Sequence, residues 1–490
     1  MNLEHVLNQK FKKQAFREGQ KTIIENALLG KNIFATIPTG GGKSLCYQLL
    51  AALDLGQVLV VSPLVALIDD QHQEAKDLGL RTCKIHSNLK ASDKNKFFKN
   101  IAAAQIIFLT PERLIKPEFW DRVQAQINIK YFVIDEAHCM SQWGNDFRPD
   151  YTRLPDYLSQ LNDPVVMALT ATATSHVKSD VVETLKLKSD KKWFNYSAPL
   201  ERPNIELKIF ECFGAVEKLD RIYEWVKKVD GAKIIYFSLV NNLEQVSLEL
   251  ESKGIRHTKY HGQLPSHIKR KNQKLFFEDQ EPLMLATPAF GLGVNKADIR
   301  LIIHYEMPSS IEAFYQEVGR AGRDGLPSQA ELLYNKDDAE IHIDFLKWNH
   351  PEPGFITSVY NLILDHPQRY RQEGPNFLRE KLNFYNKRDF RAETALNLLK
   401  RWDILVEDEK SGPRLSGRDQ LLAIPDIDEE LYLKRKKSAQ MRLLQFIQLI
   451  EKHKDDDDES LGSLIKGDQK QQDQLQVNSI QHDIVDYFLK

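Results

Sequence analysis

The chain has 490 residues, of which 42% are hydrophobic and 28% charged, and its formal net charge at pH 7 is −2. This length is typical of about three domains, and no run of about 18 apolar residues occurs that would span a membrane. The first residues lack the apolar core of a signal peptide. The four cysteines are scattered, which is typical of a reducing compartment, and we therefore expect a cytoplasmic protein.

Short apolar segments alternate with longer amphipathic stretches up to residue 345, a pattern typical of α/β domains with parallel sheets. The predicted strands lie within residues 31–38, 57–63, 104–111, 130–136 and 165–171 in a first set, and within residues 232–238, 282–288, 300–306 and 330–335 in a second. We therefore predict two tandem α/β domains of similar size, at residues 1–200 and 201–345.

The β-type pattern fades after Asp344. Residues 346–425 predict helices followed by a hairpin, as in a small, mostly helical, winged-helix-like module, and residues 426–490 predict a helical tail with an acidic linker. Residues 369–401 carry nine Lys/Arg against four Asp/Glu. This basic segment could grip DNA phosphates or be the exposed face of packed helices, and both interpretations stay open.

The segment TIPTGGGKSLCYQ, Thr36–Gln48, predicts a phosphate-binding loop between a strand and a helix. Backbone N–H groups of such a loop bind phosphate oxygens, with the helix N-terminus behind them. Lys43 would reach the outer phosphates, and the Ser44 hydroxyl would bind Mg²⁺. An unrelated glycine turn is the alternative. The predicted phosphate-binding residues are Thr39, Gly40, Gly41, Gly42, Lys43 and Ser44.

Two carboxylates lie at the end of the predicted strand at residues 130–136, in the segment YFVIDEAH. Asp135 would hold Mg²⁺, and Glu136 would activate the attacking water, as phosphoryl transfer in P-loop enzymes requires. A strand end that simply begins a helix is the alternative. Two motifs in the right order, each at a strand end, favour the catalytic interpretation.

Two arginines of the second set, Arg320 and Arg323, lie three residues apart in EAFYQEVGRAGRDG. This spacing predicts that both lie on one face of a helix, where solvated charge is the ordinary explanation. A P-loop ATPase, however, needs cations near the γ-phosphate during transfer. We therefore expect the two α/β domains to close on one ATP, so that hydrolysis moves one domain against the other.

Aromatic residues lie shortly after the two carboxylates, in SQWGNDFRPDY (141–151). Trp143, Phe147 and Tyr151 are interleaved with Arg148 and other polar residues. Aromatic rings stack on exposed bases, and arginine adds charge and cation–π contact. Core packing of the rings is the alternative, but the Gly, Asn, Asp and Pro in the same stretch favour a loop that contacts single-stranded DNA.

These segments occur together with FREGQ (16–20), SPLVALIDDQ (62–71), TPERL (110–114), ALTATAT (168–174) and the long segment 286–327. In this order they resemble RecQ-family DNA helicases of helicase superfamily 2, over residues 10–335. The resemblance implies an α/β fold with two tandem RecA-like P-loop domains before the helical module. It also implies ATP-dependent DNA helicase activity, with ATP and Mg²⁺ as cofactors.

The resemblance further implies roles for individual residues. Arg17 and Gln20 match the motif that recognises adenine, and Gly291 and Gln316 match the ATP motifs of the second domain. Thr170–Thr172 match the segment that links ATP binding to DNA binding. The residues expected to contact DNA are Ser62, Thr110, Pro111, Arg113, Trp143, Phe147, Arg148 and Thr172.

Three positions depart from the family pattern. Lys13 stands where the family has an aromatic residue that stacks on adenine, and Asn145 stands where many relatives have histidine. No cysteine follows Cys212, so the four-cysteine zinc subdomain of the family is not expected and no zinc is predicted.

We predict a helicase of RecQ type that uses ATP to move 3′-to-5′ along single-stranded DNA and to separate duplexes in recombination and repair. The expected partners are single-stranded, tailed or forked DNA and repair or replication proteins, and no membrane. Two alternatives stay open: a DNA-stimulated ATPase that remodels or anneals without efficient unwinding, and a DNA-binding adaptor switched by ATP. Glu136 together with both arginines counts against a switch that does not hydrolyse ATP.

Overall fold

The computed structural model describes residues 2–86, 89–141, 148–185, 191–291, 296–382, 390–401, 404–408, 412–415, 429–454 and 479–489. The chain divides into two units. The first unit comprises Met1–Asn335 and Gln448–Lys490, and the second comprises Lys336–Ile447. None of the described helices combines the length and the apolar character that crossing a bilayer requires.

A parallel seven-stranded sheet forms the first lobe of the first unit. Its strands are β1 (Asn32–Thr36), β2 (Gln57–Val61), β3 (Thr82–Ile85), β4 (Ile106–Leu109), β5 (Ile129–Asp135), β6 (Val165–Thr170) and β7 (Trp193–Ser197). They lie in the order β3-β4-β2-β5-β6-β1-β7. The five predicted strands are confirmed. β3 and β7 lie at the sheet edges and are half exposed, so they lack the continuous apolar run on which the prediction depended.

Helices cover both faces of this sheet. They are α1 (Leu3–Phe11), α2 (Gln20–Leu28), α3 (Lys43–Ala52), α4 (Val65–Asp77), α5 (Ala91–Asn100), α6 (Pro111–Leu114), α7 (Pro117–Val123), α8 (Pro149–Thr152), α9 (Leu154–Leu158) and α10 (Ser175–Leu185). Neighbouring strand residues enter opposite cores: Phe34 and Phe132 lie in one apolar cluster, and Ile33 and Tyr131 lie in the other. Burial on both faces explains why the central strands are apolar throughout.

A second parallel sheet forms the second lobe of the first unit. Its strands are β8 (Ile205–Glu211), β9 (Ala232–Tyr236), β10 (Thr258–Tyr260), β11 (Leu283–Ala286), β12 (Ile299–His304) and β13 (Ser328–Tyr334), and its helices are α11 (Ala215–Lys228), α12 (Val240–Ser252), α13 (Ser266–Phe277) and α14 (Ile311–Val318). The strand order is β10-β11-β9-β12-β13-β8. The four predicted strands are confirmed, and the edge strands β8 and β10 were missed. Residues 198–204 form the linker between the lobes.

The second unit is mostly helical. Its elements are α15 (Asp338–Asn349), α16 (Pro353–Asp365), α17 (Pro367–Glu373), α18 (Pro375–Leu382), α19 (Arg391–Arg401), β14 (Leu405–Asp408), β15 (Gly412–Leu415) and most of α20 (Glu429–His453). The last helix, α21 (Ser479–Leu489), belongs to the first unit. β14 and β15 pair antiparallel, which confirms the predicted hairpin. The winged-helix likeness and the four domain boundaries stay predictions.

Candidate active site

A cleft of about 1110 Å³ is lined by both lobes of the first unit. Ligand crevices of open parallel sheets lie beyond the carboxyl ends of the strands, and the loops after β1 and β5 contribute here. The predicted residues that line the cleft are Arg17, Gln20, Thr39, Gly40, Gly42, Lys43, Ser44, Asp135, Glu136, Gly291, Gln316, Arg320 and Arg323. Of the predicted nucleotide-binding residues, Gly41 does not line the cleft, and its N–H donates to the Pro38 carbonyl at 2.9 Å.

The loop between β1 and α3 leaves room for phosphates because its three glycines carry no side chains. Gly40 has φ +83°, and a Cβ there would lie 2.8 Å from Cγ of Arg323, a residue of the second lobe. α3 begins at Lys43, so its N-terminal N–H groups adjoin the cleft, as an anion site requires. Ser44 and Asp135 line the same cleft with the oxygen ligands that Mg²⁺ prefers. These residues fit a nucleotide with a bound magnesium ion.

Lys43 and Glu136, which both line the cleft, form an ion pair. Nζ of Lys43 donates to Oε1 of Glu136 at 3.0 Å, and the two side chains are only 15% and 11% exposed. Burial by itself would raise the pKa of Glu136, but the charge of Lys43 and the contact with His138 hold that pKa well below its usual range. Glu136 is therefore a weak base as long as Lys43 is its partner.

Asp135, the residue before Glu136, is buried, and three hydrogen bonds hold it in place. Nε2 of Gln71 donates to Oδ2 of Asp135 at 3.1 Å, the Glu136 N–H donates to Oδ1 at 3.1 Å, and the Tyr151 hydroxyl donates to the Asp135 carbonyl at 3.1 Å. Burial and the neighbouring charge of Glu136 raise the pKa of Asp135. Glu136 itself has φ +49°, a left-handed conformation that is costly for a residue with a Cβ and typical of functional sites.

A chain of polar contacts leads from Glu136 across to the second lobe. His138 lies 3.4 Å from Oε2 of Glu136 and 2.9 Å from the Thr170 hydroxyl, which donates to the Thr172 carbonyl at 2.9 Å. Nε2 of Gln316 then donates to the Thr172 hydroxyl at 3.2 Å. The sequence motifs included His138, but its role was not predicted because the contact to Thr170 spans 32 residues. Gln71 was missed for the same reason.

The prediction that Arg320 and Arg323 share a helix face is wrong. α14 ends at Val318, and both arginines lie in the turn that follows, where Gly322 has a left-handed conformation with φ +52°. Both nevertheless line the cleft, and Arg320 donates to the Gly291 carbonyl. Burial and the adjacent charge of Arg320 lower the pKa of Arg323 to about 9. A phosphate anion between these two cations would stabilise the charged form of Arg323.

The two residues assigned to adenine contact the phosphate loop. Nε2 of Gln20 donates to the carbonyls of Gly41 and Gly42 at 3.1 Å each, and its Oε1 accepts from the Arg17 N–H at 2.9 Å. The Arg17 guanidinium donates to the Gly40 carbonyl. Their side chains line the nucleotide cleft and fix the backbone of the loop, while recognition of the base stays a prediction.

The residues assigned to DNA are only partly brought together. Nη1 of Arg148 donates to the Pro63 carbonyl at 2.7 Å, which ties the segment after Glu136 to the loop after β2. Arg113 is half buried, with its guanidinium 5.3 Å from the Phe119 ring centre. The buried residues of the set are Ser62, Thr110, Pro111 and Thr172. Trp143 and Phe147 lie outside the described residues, and Tyr151 belongs to the core.

Acidic partners offset part of the basic segment in the second unit. Arg369 pairs with Glu373 at 2.8 Å and with Glu380 at 3.1 Å, and Arg379 pairs with Glu393. These contacts favour the interpretation of an ordinary helix surface for these two arginines. Elsewhere, the described ranges hold no group of three or more His, Cys, Asp or Glu side chains placed to bind a metal ion, and the zinc prediction stays a prediction.

Comparison with known proteins places this geometry in a family. The family described as DEAD/DEAH box helicase matches residues 17–180, and the helicase conserved C-terminal domain matches residues 215–325. The chain resembles the structure of the Mycobacterium smegmatis helicase Lhr bound to ssDNA and AMP-PNP with a TM-score of 0.56, at 16% identity, over 83% of this chain and 60% of that one. At this identity the likeness shows the fold alone.

Two curated relatives are more similar in sequence. The probable ATP-dependent DNA helicase RecS of Bacillus subtilis is 36% identical over 407 residues, which cover 83% of this chain and 80% of that protein. The ATP-dependent DNA helicase RecQ of Haemophilus influenzae is 36% identical over 335 residues, covering 68% of this chain and 53% of that protein, so the match spans about half of its length. With both helicase domains matched and the cleft formed between them, the chain belongs to the RecQ family of superfamily 2 ATP-dependent DNA helicases.

Proposed function

We propose that this protein hydrolyses ATP to drive 3′-to-5′ movement along single-stranded DNA and the separation of duplexes. The observation that carries the proposal is the cleft, to which both lobes contribute catalytic groups. Arg323 of the second lobe lies against Gly40 of the first, and Gln316 is hydrogen-bonded to Thr172. Because the lobes meet at the nucleotide, a change in the nucleotide changes their contact, as a motor requires.

Lys43 and Glu136 exchange partners when ATP binds. Lys43 leaves Glu136 for phosphate oxygens, and the loss of its charge raises the pKa of Glu136, which can then accept a proton from the attacking water. Arg320 and Arg323 stabilise the charge on the transferred phosphoryl group. Ser44 and Asp135 would hold Mg²⁺, which neutralises phosphate charge when bound. Glu136 is therefore an active base only when ATP is bound.

The nucleic-acid interface extends this proposal to the loops after β2, β4 and β5. Arg148 and Arg113 are the described cations among the assigned residues, and they would contact backbone phosphates or stacked bases. Movement of Arg148 would reach the cleft directly, because its backbone N–H donates to the Cys139 carbonyl at 2.8 Å, three residues beyond Glu136. The partners we propose are tailed or forked DNA and repair or replication proteins, in the cytoplasm.

We also propose residues 1–200 and 201–345 as the two motor domains. Residues 346–425 would form a winged-helix-like module, and residues 426–490 a helical tail. The first sheet ends with β7 at Ser197 and the second begins with β8 at Ile205, which supports the boundary between the motor domains.

Strand separation is the direct test of the proposed function. The wild-type protein with ATP and Mg²⁺ is expected to separate a duplex that carries a 3′ single-stranded tail, and to leave a duplex with a 5′ tail intact. Release of a labelled strand is measured by native gel electrophoresis. DNA-stimulated hydrolysis without release of the strand would instead support a remodelling translocase. Binding of DNA and ATP without hydrolysis would support the adaptor.

A further inference from the structure

The turn that carries Arg320 and Arg323 cannot rely on a helix for its shape. α14 ends at Val318, so the Gly319 and Ala321 carbonyls have no following helical turn whose N–H groups could donate to them. Both arginines are long and flexible, and their guanidinium positions depend on the backbone beneath them. Contacts with other parts of the molecule therefore hold this turn in place, among them the hydrogen bond from the Gly322 N–H to the Ile299 carbonyl at 2.9 Å.

Arg202, in the linker between the lobes, donates to three carbonyls of this turn. Its Nη1 donates to Gly319 at 3.3 Å, and its Nη2 donates to Ala321 at 2.9 Å and to Gly322 at 3.0 Å. Gly319 and Ala321 flank Arg320 in the chain, and Gly322 directly precedes Arg323. A planar guanidinium is suited to such a fork because its donors have a fixed geometry.

Asn204 completes the contact two residues further along the linker. Its Nδ2 donates to the carbonyls of Gly322 at 2.9 Å and Leu326 at 3.1 Å. Gly322 has φ +52°, and a Cβ there would lie only 2.4 Å from that Nδ2. The turn and the linker therefore fit together closely, and a glycine is required where they meet.

The backbone of Arg202 is itself fixed from two sides. Its N–H donates to Oε1 of Gln481 on α21 at 3.2 Å, and Nε2 of Gln481 donates back to its carbonyl at 3.1 Å. On the other side, the Tyr315 hydroxyl of α14 donates to the Leu200 carbonyl at 2.8 Å. The guanidinium of Arg202 therefore starts from a rigid base. Its charge also contributes to the lowered pKa of Arg323, after burial and the charge of Arg320, so the two guanidinium groups are close in space.

We propose that Arg202 is a positioning residue that holds Arg320 and Arg323 in place to act on the γ-phosphate of ATP. This inference rests on the proposed function, because it assumes that the two arginines meet that phosphate. Arg202 binds backbone carbonyls of the turn, and it acts through the arginines that the turn carries.

The test compares nucleotides with and without a γ-phosphate. Arg202→Gln is expected to lower DNA-stimulated kcat about 10²-fold, the cost of misplacing catalytic groups by about 1 Å. It should weaken binding of AMP-PNP about tenfold or more and leave ADP binding unchanged. Arg202→Lys should rescue little, since an ammonium keeps the charge but lacks the fork. If Arg202 acted only through its charge, Arg202→Lys would restore full activity. Full rescue by lysine would therefore overturn the proposed fork, and little rescue would support it.

A matched control and a double-mutant cycle complete the test. Arg221→Gln removes another guanidinium of the second lobe, which binds Glu331 at 2.6 Å, and should lower the melting temperature without changing the ratio of AMP-PNP to ADP affinity. In a protein carrying Arg320→Ala and Arg323→Ala, Arg202→Gln should no longer weaken AMP-PNP binding. An undiminished effect in that background, or equal weakening of ADP, would overturn the proposal. If the wild type proves not to hydrolyse ATP, the proposed function fails, whereas these affinities still decide the role of Arg202.

Discussion

Replacement of Lys43 by alanine is expected to reduce DNA-stimulated ATP hydrolysis by at least about 10²-fold, the loss typical when one group that stabilises transition-state charge is removed. Lys43 contributes twice. It would bind the outer phosphates, and its departure from Glu136 at 3.0 Å would release the base. Without it, Glu136 stays buried with one cation fewer, so its pKa rises towards the usual range. Phosphate release and fluorescent-nucleotide binding measure the two losses separately.

Binding of single-stranded DNA by Lys43→Ala should match that of the wild type, since Lys43 lies in the nucleotide cleft. Lys84→Ala is the matched control, because it also removes a lysine of the first lobe that pairs with a carboxylate, Asp69 at 2.6 Å, and neither residue lines the cleft. Its hydrolysis should stay at the wild-type level. Turnover above one tenth of the wild-type rate in Lys43→Ala would refute the role assigned to Lys43.

The features that could be predicted from the sequence are those encoded within a few neighbouring residues. Five strands are apolar because both of their faces are buried: β1, β2, β4, β5 and β6. The glycines before Lys43 indicate a phosphate-binding loop. The catalytic carboxylates Asp135 and Glu136 could also be predicted, because they stand at the end of the apolar strand β5. Edge strands such as β7 were not predicted, because half of each strand is exposed and carries polar residues.

Features that depend on distant contacts could not be predicted. Arg320 and Arg323 have helical spacing, yet α14 ends at Val318, and the carbonyls of the turn accept from Arg202, which is 117 to 120 residues away. The hydrogen bond between Gln316 and Thr172 spans 144 residues. In each case the sequence supplies a polar side chain, and only the fold decides which group it meets.

Glu136→Gln is expected to lower hydrolysis by about 10² to 10⁴-fold, the usual contribution of a general base, because a neutral amide cannot accept the proton of the attacking water. Unlike Lys43→Ala, it should bind ATP at least as tightly as the wild type. In the wild type, ATP must separate Lys43 from Glu136, a pair in which each side chain is less than one sixth exposed, with 15% and 11%. Glutamine removes that competing charge. The measurement is equilibrium binding of a fluorescent ATP together with single-turnover hydrolysis.

The opposite effects of the two substitutions on ATP affinity separate this mechanism from simple damage to the cleft. Glu244→Gln is the control for loss of a carboxylate, since Glu244 pairs with Lys259 at 2.7 Å in the second lobe and does not line the cleft. It should change neither ATP affinity nor turnover. If Glu136→Gln weakened ATP binding as much as Lys43→Ala does, the ion pair would be a support of the phosphate loop. A rise in affinity joined to the loss of turnover would establish that Lys43 exchanges Glu136 for phosphate, and that nucleotide binding itself converts a weak base into an active one.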